Sequence, residues 1–238
     1  LFLLLLTGGL LEFSGGSTRA MLSLINVVLL LVPLTSIVFG SIYLYNEREF
    51  TELLLSQPVN RRTLFAGLYS GLAVPLTIGF VAGIGLPFAF YGLDSASDLA
   101  ALATLMASGV LLTLVFTALA FAIAIRFEDK VKGLGVAILV WLVFTILYDA
   151  GVLLVVQAFA HYPLERPVIG LMLFNPVDLA RVILLLNFDI SALMGYTGAA
   201  FRTFFGTAWG LAIATSMLLI WLSAPLGVAL RWFERKDF

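Results

Sequence analysis

Few residues in this 238-residue chain can do chemistry, and they fall in three places. The first is Asn46 to Arg62, where Glu47, Arg48, Glu49, Glu52, Arg61 and Arg62 are set among Phe50, Leu53 and Leu54. As a helix, this stretch puts Phe50, Leu53 and Leu54 on one face at the i, i+3, i+4 spacing, with Glu47, Thr51 and Glu52 toward the other. Such a face lies on a membrane or grips another protein. The second place is Asp149, inside an apolar run from Gly133 to Gln157. An ionisable group there costs about 2.5 to 3.5 kcal/mol on insertion scales and is read by default as functional. It reaches headgroup water at the outer end of its run, faces a cavity, or pairs across a helix interface. The third is Asn175-Pro176-Val177-Asp178 with Arg181 one turn on; the asparagine suits an N-cap and the proline a first helical position. This helix of about a dozen residues is too short to span and is expected at the outer interface, with Asp178 and Arg181 on its polar edge, as an anchor or as a docking or gating element.

Absences narrow the chemistry. The chain has no cysteine, its one histidine, His161, reads as an ordinary loop residue, and Met21, Met106, Met172, Met194 and Met217 are scattered, so no Cys/His metal site can be assembled. No glycine-rich loop ending in Lys-Ser or Lys-Thr occurs, so ATP is not bound and hydrolysed by that device. Energy for uphill movement must come from a partner or an ion gradient. Acid–base catalysis needs a second group within hydrogen-bond reach, and the spans offer Asp149 no second carboxylate, which ranks an intramembrane enzyme last.

The elements that position these residues are membrane helices. Of the chain, 62% is apolar and 11% charged, with mean hydropathy +1.11. Apolar runs at 21–45, 63–91, 99–125, 133–157 and 204–230 are each long enough to cross the hydrocarbon core, which takes about 20 helical residues. They lack the period-two alternation of a membrane β-barrel. Residues 1–11 are apolar but rise only about 16 Å as a helix. They are expected to be the outer part of a first span whose beginning is missing. The fold class is therefore all-α, a polytopic protein of six spans with the first truncated. Lysine and arginine placement orients it: Arg48, Arg61, Arg62, Arg126, Lys130, Lys132, Arg231, Arg235 and Lys236 share one side, and only Arg19, Arg166, Arg181 and Arg202 fall on the other. The charged stretch 46–62 is then cytoplasmic and the Asn175 helix extracytoplasmic. Within 63–91, Gly67, Gly71, Pro75, Gly79, Gly83 and Pro87 recur at every fourth position. Small residues let helices approach closely, and Pro75 and Pro87 are candidate bends in a span that shifts between inward and outward states.

Taken together, the charged segment leading into Thr51-Glu52-Leu53-Leu54-Leu55-Ser56-Gln57-Pro58, the aspartate of Val143-Phe144-Thr145-Ile146-Leu147-Tyr148-Asp149, and Phe174-Asn175-Pro176-Val177-Asp178-Leu179-Ala180-Arg181 resemble the permeases of ABC-2 type transporters. Within that family the resemblance is to the branch serving copper-site maturation of nitrous oxide reductase, and it covers roughly residues 40 to 190. It implies one transmembrane domain over 1–238, with 46–62 as the coupling segment. A cytosolic ABC ATPase, which binds ATP and magnesium, would dock on Glu47, Arg48, Glu49, Phe50, Glu52, Leu53, Leu54, Arg61 and Arg62. The chain itself would bind no cofactor or metal and would not be an enzyme. The further partners implied are a second copy of the chain, the lipid bilayer and an extracytoplasmic copper-handling protein, with no nucleic acid, in the inner (cytoplasmic) membrane of a bacterium. An ABC-2 exporter of a lipid, drug or other small molecule has the same architecture and stays open, as does a passive structural membrane protein.

Overall fold

The computed structural model of the protein describes residues 1–14, 17–91, 96–159, 165–187 and 208–235. They form α1 (Phe2–Ser14), α2 (Ser17–Asn46), α3 (Arg48–Leu55), α4 (Arg61–Tyr91), α5 (Ala96–Arg126), α6 (Lys130–Leu142), a π-helical turn (Val143–Leu147), α7 (Tyr148–Ala158), α8 (Glu165–Leu173), α9 (Pro176–Asn187) and α10 (Ala208–Arg235), with no strand among the described residues. The fold is all-α and polytopic. Five units are long and apolar enough to cross a membrane: α2, α4, α5, the continuous α6–π–α7 unit and α10. The shorter apolar helix α1 packs on α4 and α2.

The spans are helical because lipid leaves no other partner for backbone N–H and C=O groups. Their hydroxyls follow the same rule: Ser41, Thr113 and Thr117 each donate to the carbonyl four residues back. Helix α5 is the hub, packing on α2, α4, α6, α9 and α10. Its Leu105, Leu112, Val115, Phe116 and Phe121 are fully buried.

Lipid is as apolar as leucine, so close approach and interhelical hydrogen bonds hold such a bundle together. At Gly40 of α2 an added Cβ would stand 2.6 Å from the Ala120 Cβ of α5, and the Phe80 ring of α4 fills the space over Gly109 of α5. Of the expected ladder in α4, Gly83 is a close approach, with Leu3 of α1 2.9 Å from where its Cβ would be, whereas Gly67 and Gly79 face open space. Helix α4 runs unbroken through Pro75 and Pro87. Polar ties close both ends of the bundle. Asp98 of α5 accepts from the hydroxyls of Ser17 (2.7 Å) and Thr18 (3.1 Å) of α2, and at the far end the Tyr45 hydroxyl donates to the Phe127 carbonyl at 2.8 Å.

Candidate functional site

Two polar regions stand at opposite ends of the bundle. At the end carrying most of the arginines, the chain leaves α2 through Glu47 and turns into α3. Thr51 is 2% exposed, its hydroxyl donating to the Glu47 carbonyl at 2.8 Å, while Phe50 and Leu53 are 54% and 68% exposed. The helix is amphipathic as its spacing predicts, but it lies with Thr51 against the protein and its apolar face outward. Leu54 is half-buried, and Leu55 packs on the cluster of Leu44, Phe65, Phe121 and Phe233.

The arginines of this segment are each engaged by another part of the chain. The Arg48 Nε lies 3.3 Å from Glu52 Oε1, its Nη1 donates to the Glu128 carbonyl at 3.2 Å, and its Nη2 lies 3.7 Å from Glu128 Oε1. Arg61 donates to the Glu234 carbonyl at 2.7 Å, and Arg62 pairs with the Glu234 carboxylate. Lys130 donates to Asn46 at 3.0 Å. These contacts pin α3 and the start of α4 to the α5–α6 corner and to the end of α10. Of the residues singled out in the sequence, Glu49, Phe50, Glu52 and Leu53 remain outward as one exposed face. Glu128 and Glu234 carry no local signal of this role, because their partners are far away in sequence.

At the other end, α8 and α9 meet at 113° with Asn175 between them. Asn175 is fully buried. Its Oδ1 accepts from the Val177 N–H at 3.0 Å, the N-cap bond the sequence predicts, and its Nδ2 donates to Asp178 Oδ2 at 3.0 Å and to the Phe144 carbonyl at 2.8 Å. Arg181 Nη1 donates to Asp149 at 2.7 Å and to Asp178 at 2.9 Å.

Two expectations are corrected here. Asp178 and Arg181 do not form the wet edge of a helix lying on a surface. Asp178 is 3% exposed, and α9 buries Val177, Leu179, Ala180 and Leu184 while packing on α5 and α10, because the apolar residues of α9 outnumber its polar ones and the two charges neutralise within the fold. Nor does Asp149 lack a second carboxylate nearby, since Asp178 shares its guanidinium. Asp149 itself is paired across a helix interface. Pro176 stands at the first helical position, Tyr148 donates to the Leu171 carbonyl, and Trp221 of α10 donates to the Leu173 carbonyl at 3.2 Å. Neither Tyr148 nor Trp221 was marked by sequence. His161 lies outside the described residues. Among the described residues no group of three His, Cys, Asp or Glu side chains is placed to hold a metal ion.

Five apolar spans, an exposed apolar helix face at one end and a tied-down polar hairpin at the other define a multi-pass membrane subunit. The chain belongs to the ABC-2 family of transporter proteins, whose model matches residues 11–238. It is 31% identical over 222 residues, 90% of this chain and 79% of the relative, to the probable ABC transporter permease protein NosY of Pseudomonas aeruginosa. It is 28% identical over 226 residues, with the same coverage, to the protein of that name from Stutzerimonas stutzeri. The chain is thus an ABC-2 permease subunit of an ABC transporter, and membership of that family implies a partner ATPase subunit.

Proposed function

We propose that this subunit couples ATP hydrolysis by a separate cytosolic ATPase to transport or mechanical work across a bacterial cytoplasmic membrane, and that it serves copper-site maturation of nitrous oxide reductase. The observation that carries the coupling is α3: Phe50 and Leu53 face away from the protein on a helix that Arg48 fixes to Glu128. A helix presenting apolar side chains at i and i+3 to an outside partner is a recurring docking mode. Glu49 and Glu52 flank that face, and Arg61 and Arg62 brace the next span. Two copies of the chain would form the membrane unit over two ATPases carrying ATP and magnesium. Closure of the ATPases would push on α3, and the spans would carry the motion outward, with Pro75 and Pro87 of α4 as the places where the helix ladder, short of an N–H donor, gives most easily.

The finer assignment is supported by the likeness to the two NosY permeases and by the Asp149 and Asn175–Arg181 segments. It brings in a periplasmic copper-handling partner. The second reading, an exporter of a lipid, drug or other small molecule, is favoured by a cleft of about 310 Å³ among α1, α2, α4 and α5, lined by Leu31, Thr35, Phe39, Pro75, Gly79 and Phe80. Affinity purification from native membranes in mild detergent, with mass spectrometry and an ATPase assay, separates the readings. Recovery of a P-loop ATPase with a periplasmic partner is expected. The ATPase alone would favour the exporter, and recovery of neither, without ATP hydrolysis, would overturn the coupling role of α3.

A further inference from the structure

The π-turn in the fifth span is built around a residue from the outer hairpin. In an α-helix the Tyr148 N–H would donate to Phe144, four residues back; here it donates to Val143, five back. The Phe144 carbonyl therefore lacks its ordinary α-helical donor, and Asn175 Nδ2 takes that place at 2.8 Å. The same side chain caps α9, so one amide joins the start of α9 to the wide turn of the span.

What lies beyond the turn is loosely packed. Before it, α6 buries Gly133 and Ala137; after it, α7 has no buried residue. Val152 and Val156 of α7 touch the neighbouring cluster while half-buried, and Gly151, Leu153 and Leu154 are exposed. Polar ties supply the rest of the hold on α7: Asp149 to Arg181, and the Tyr148 hydroxyl to the Leu171 carbonyl.

We propose that Asn175 and the π-turn form a two-register switch for the outer half of the fifth span. With Asn175 on the Phe144 carbonyl, the turn holds one extra residue and α7 points Asp149 at Arg181. When Asn175 leaves, the Tyr148 N–H returns to Phe144 and the extra residue is absorbed into the α-helix. Helix α7 then turns by roughly 100° and shifts by about 1.5 Å, the increments of one residue. Because α7 has no buried side chain, this rotation meets little steric resistance. Asn175 is in this view a positioning residue for the outer end of the protein, and the switch gives that end a discrete movement. The inference goes beyond the coupling reading and does not depend on it, since the register can be read without nucleotide or ATPase.

The chain has no cysteine, so single cysteines can be spin-labelled cleanly. A nitroxide scan over residues 150–157, in the full chain in lipid nanodiscs, reads the phase of α7 from oxygen accessibility. The unsubstituted background should be protected at Val152 and Val156. Asn175→Ser keeps an acceptor for the Val177 N–H but has no amide to give Phe144, and there the protected phase should move one residue back, to Gly151 and Val155. Protection that stays at Val152 and Val156 would overturn the switch. Deletion of the exposed Ile146 removes the extra residue, so in that background α7 should keep the original facing whether residue 175 is Asn or Ser. A phase shift caused by Asn175→Ser in the deletion background would also overturn it. A monodisperse elution profile for each protein confirms that folded chains are being compared.

Discussion

Helix α3 and the hairpin α8–α9, at opposite ends of the bundle, use charge and apolar surface in opposite ways. On α3 the charged groups sit at the rim, with Arg48 and Glu52 partly exposed and Arg48 also paired with the exposed Glu128 of the α5–α6 corner, and the apolar residues Phe50 and Leu53 face outward. In the hairpin the apolar residues of α9 point into the bundle and take its charges with them: Asp178 is buried, and Arg181 and its partner Asp149 of α7 keep 31% and 34% of their side-chain surface. A helix face that leaves hydrocarbon outward is open to a membrane surface or to a partner. A network that gathers two carboxylates on one guanidinium, with Asn175 and the Phe144 carbonyl, fixes one arrangement of its own chain. The difference separates an element whose apolar face is open to the proposed ATPase from one that holds internal geometry.

The sharpest way to break this comparison is Arg181→Ala. Removing one member of a buried ion-pair network leaves the others without counter-charge and costs about 3 kcal/mol, toward the low end of the usual range because Asp149 is only two-thirds buried. Thermal unfolding in detergent should show a marked loss of stability, partly recovered in Arg181→Lys, which keeps the charge. Melting unchanged from the parent would mean that the hairpin is held by its apolar contacts alone. Phe50→Asp should do the reverse. Phe50 is 54% exposed and belongs to none of the buried apolar clusters of the described residues, so stability should stay within about 0.5 kcal/mol of the parent, while co-purification of the ATPase is lost. Intact co-purification would remove Phe50 from the docking face.

How much of this was legible depended on whether the signal was local. The apolar runs 21–45, 63–91, 99–125 and 133–157 lie within helices 17–46, 61–91, 96–126 and 130–158, which extend a few residues further because their ends are polar yet still helical. Amphipathicity in α3 and the cap at Asn175 were readable because both are fixed by spacings of a few residues. The tie that holds α3 was not, since Arg48 meets Glu128 eighty residues away in sequence. The burial of Asp178 escaped for the same reason: beside Arg181 it reads as a wet edge, and only the approach of Asp149, 32 residues from Arg181, makes it an interior pair. The π-turn left no trace at all, because Val143 to Leu147 holds neither glycine nor proline and its donor lies on another helix. In α4 the glycine ladder was visible but not its use; Gly83 meets a neighbour closely, whereas Gly67 and Gly79 do not.

A smaller effect sharpens the contrast at the α3 end. The Arg48 pairs are partly exposed, and such pairs contribute about 0 to 1 kcal/mol. Arg48→Ala should therefore leave the melting temperature almost unchanged. On the proposed coupling role it should nonetheless lower ATP hydrolysis by the assembled complex, because α3 loses its tie to the α5–α6 corner. A loss of stability as large as that of Arg181→Ala would erase the distinction between the two ends.

The smallest expected effect is local and depends on pH. Asp129 caps α6, accepting from the N–H groups of Lys132 at 3.2 Å and Val131 at 2.8 Å. These two bonds, that from Lys132 first, hold its carboxyl below the ordinary aspartate value of about 3.9. A carboxylate whose pKa falls on folding stabilises the fold above the unfolded value, and that contribution disappears as pH falls through the folded one. Acid should therefore fray the first turn of α6, raising amide exchange at Val131 and Lys132 in the parent. In Asp129→Asn, which caps without a charge, exchange at those amides should stay level after correction for the intrinsic pH dependence. Lys130, next to the cap, holds Asn46 at the entrance to α3, so the loosening reaches α3 and leaves Arg181 and its partners untouched. A corrected profile as level in the parent as in Asp129→Asn would show that the cap's charge has no part in holding this corner.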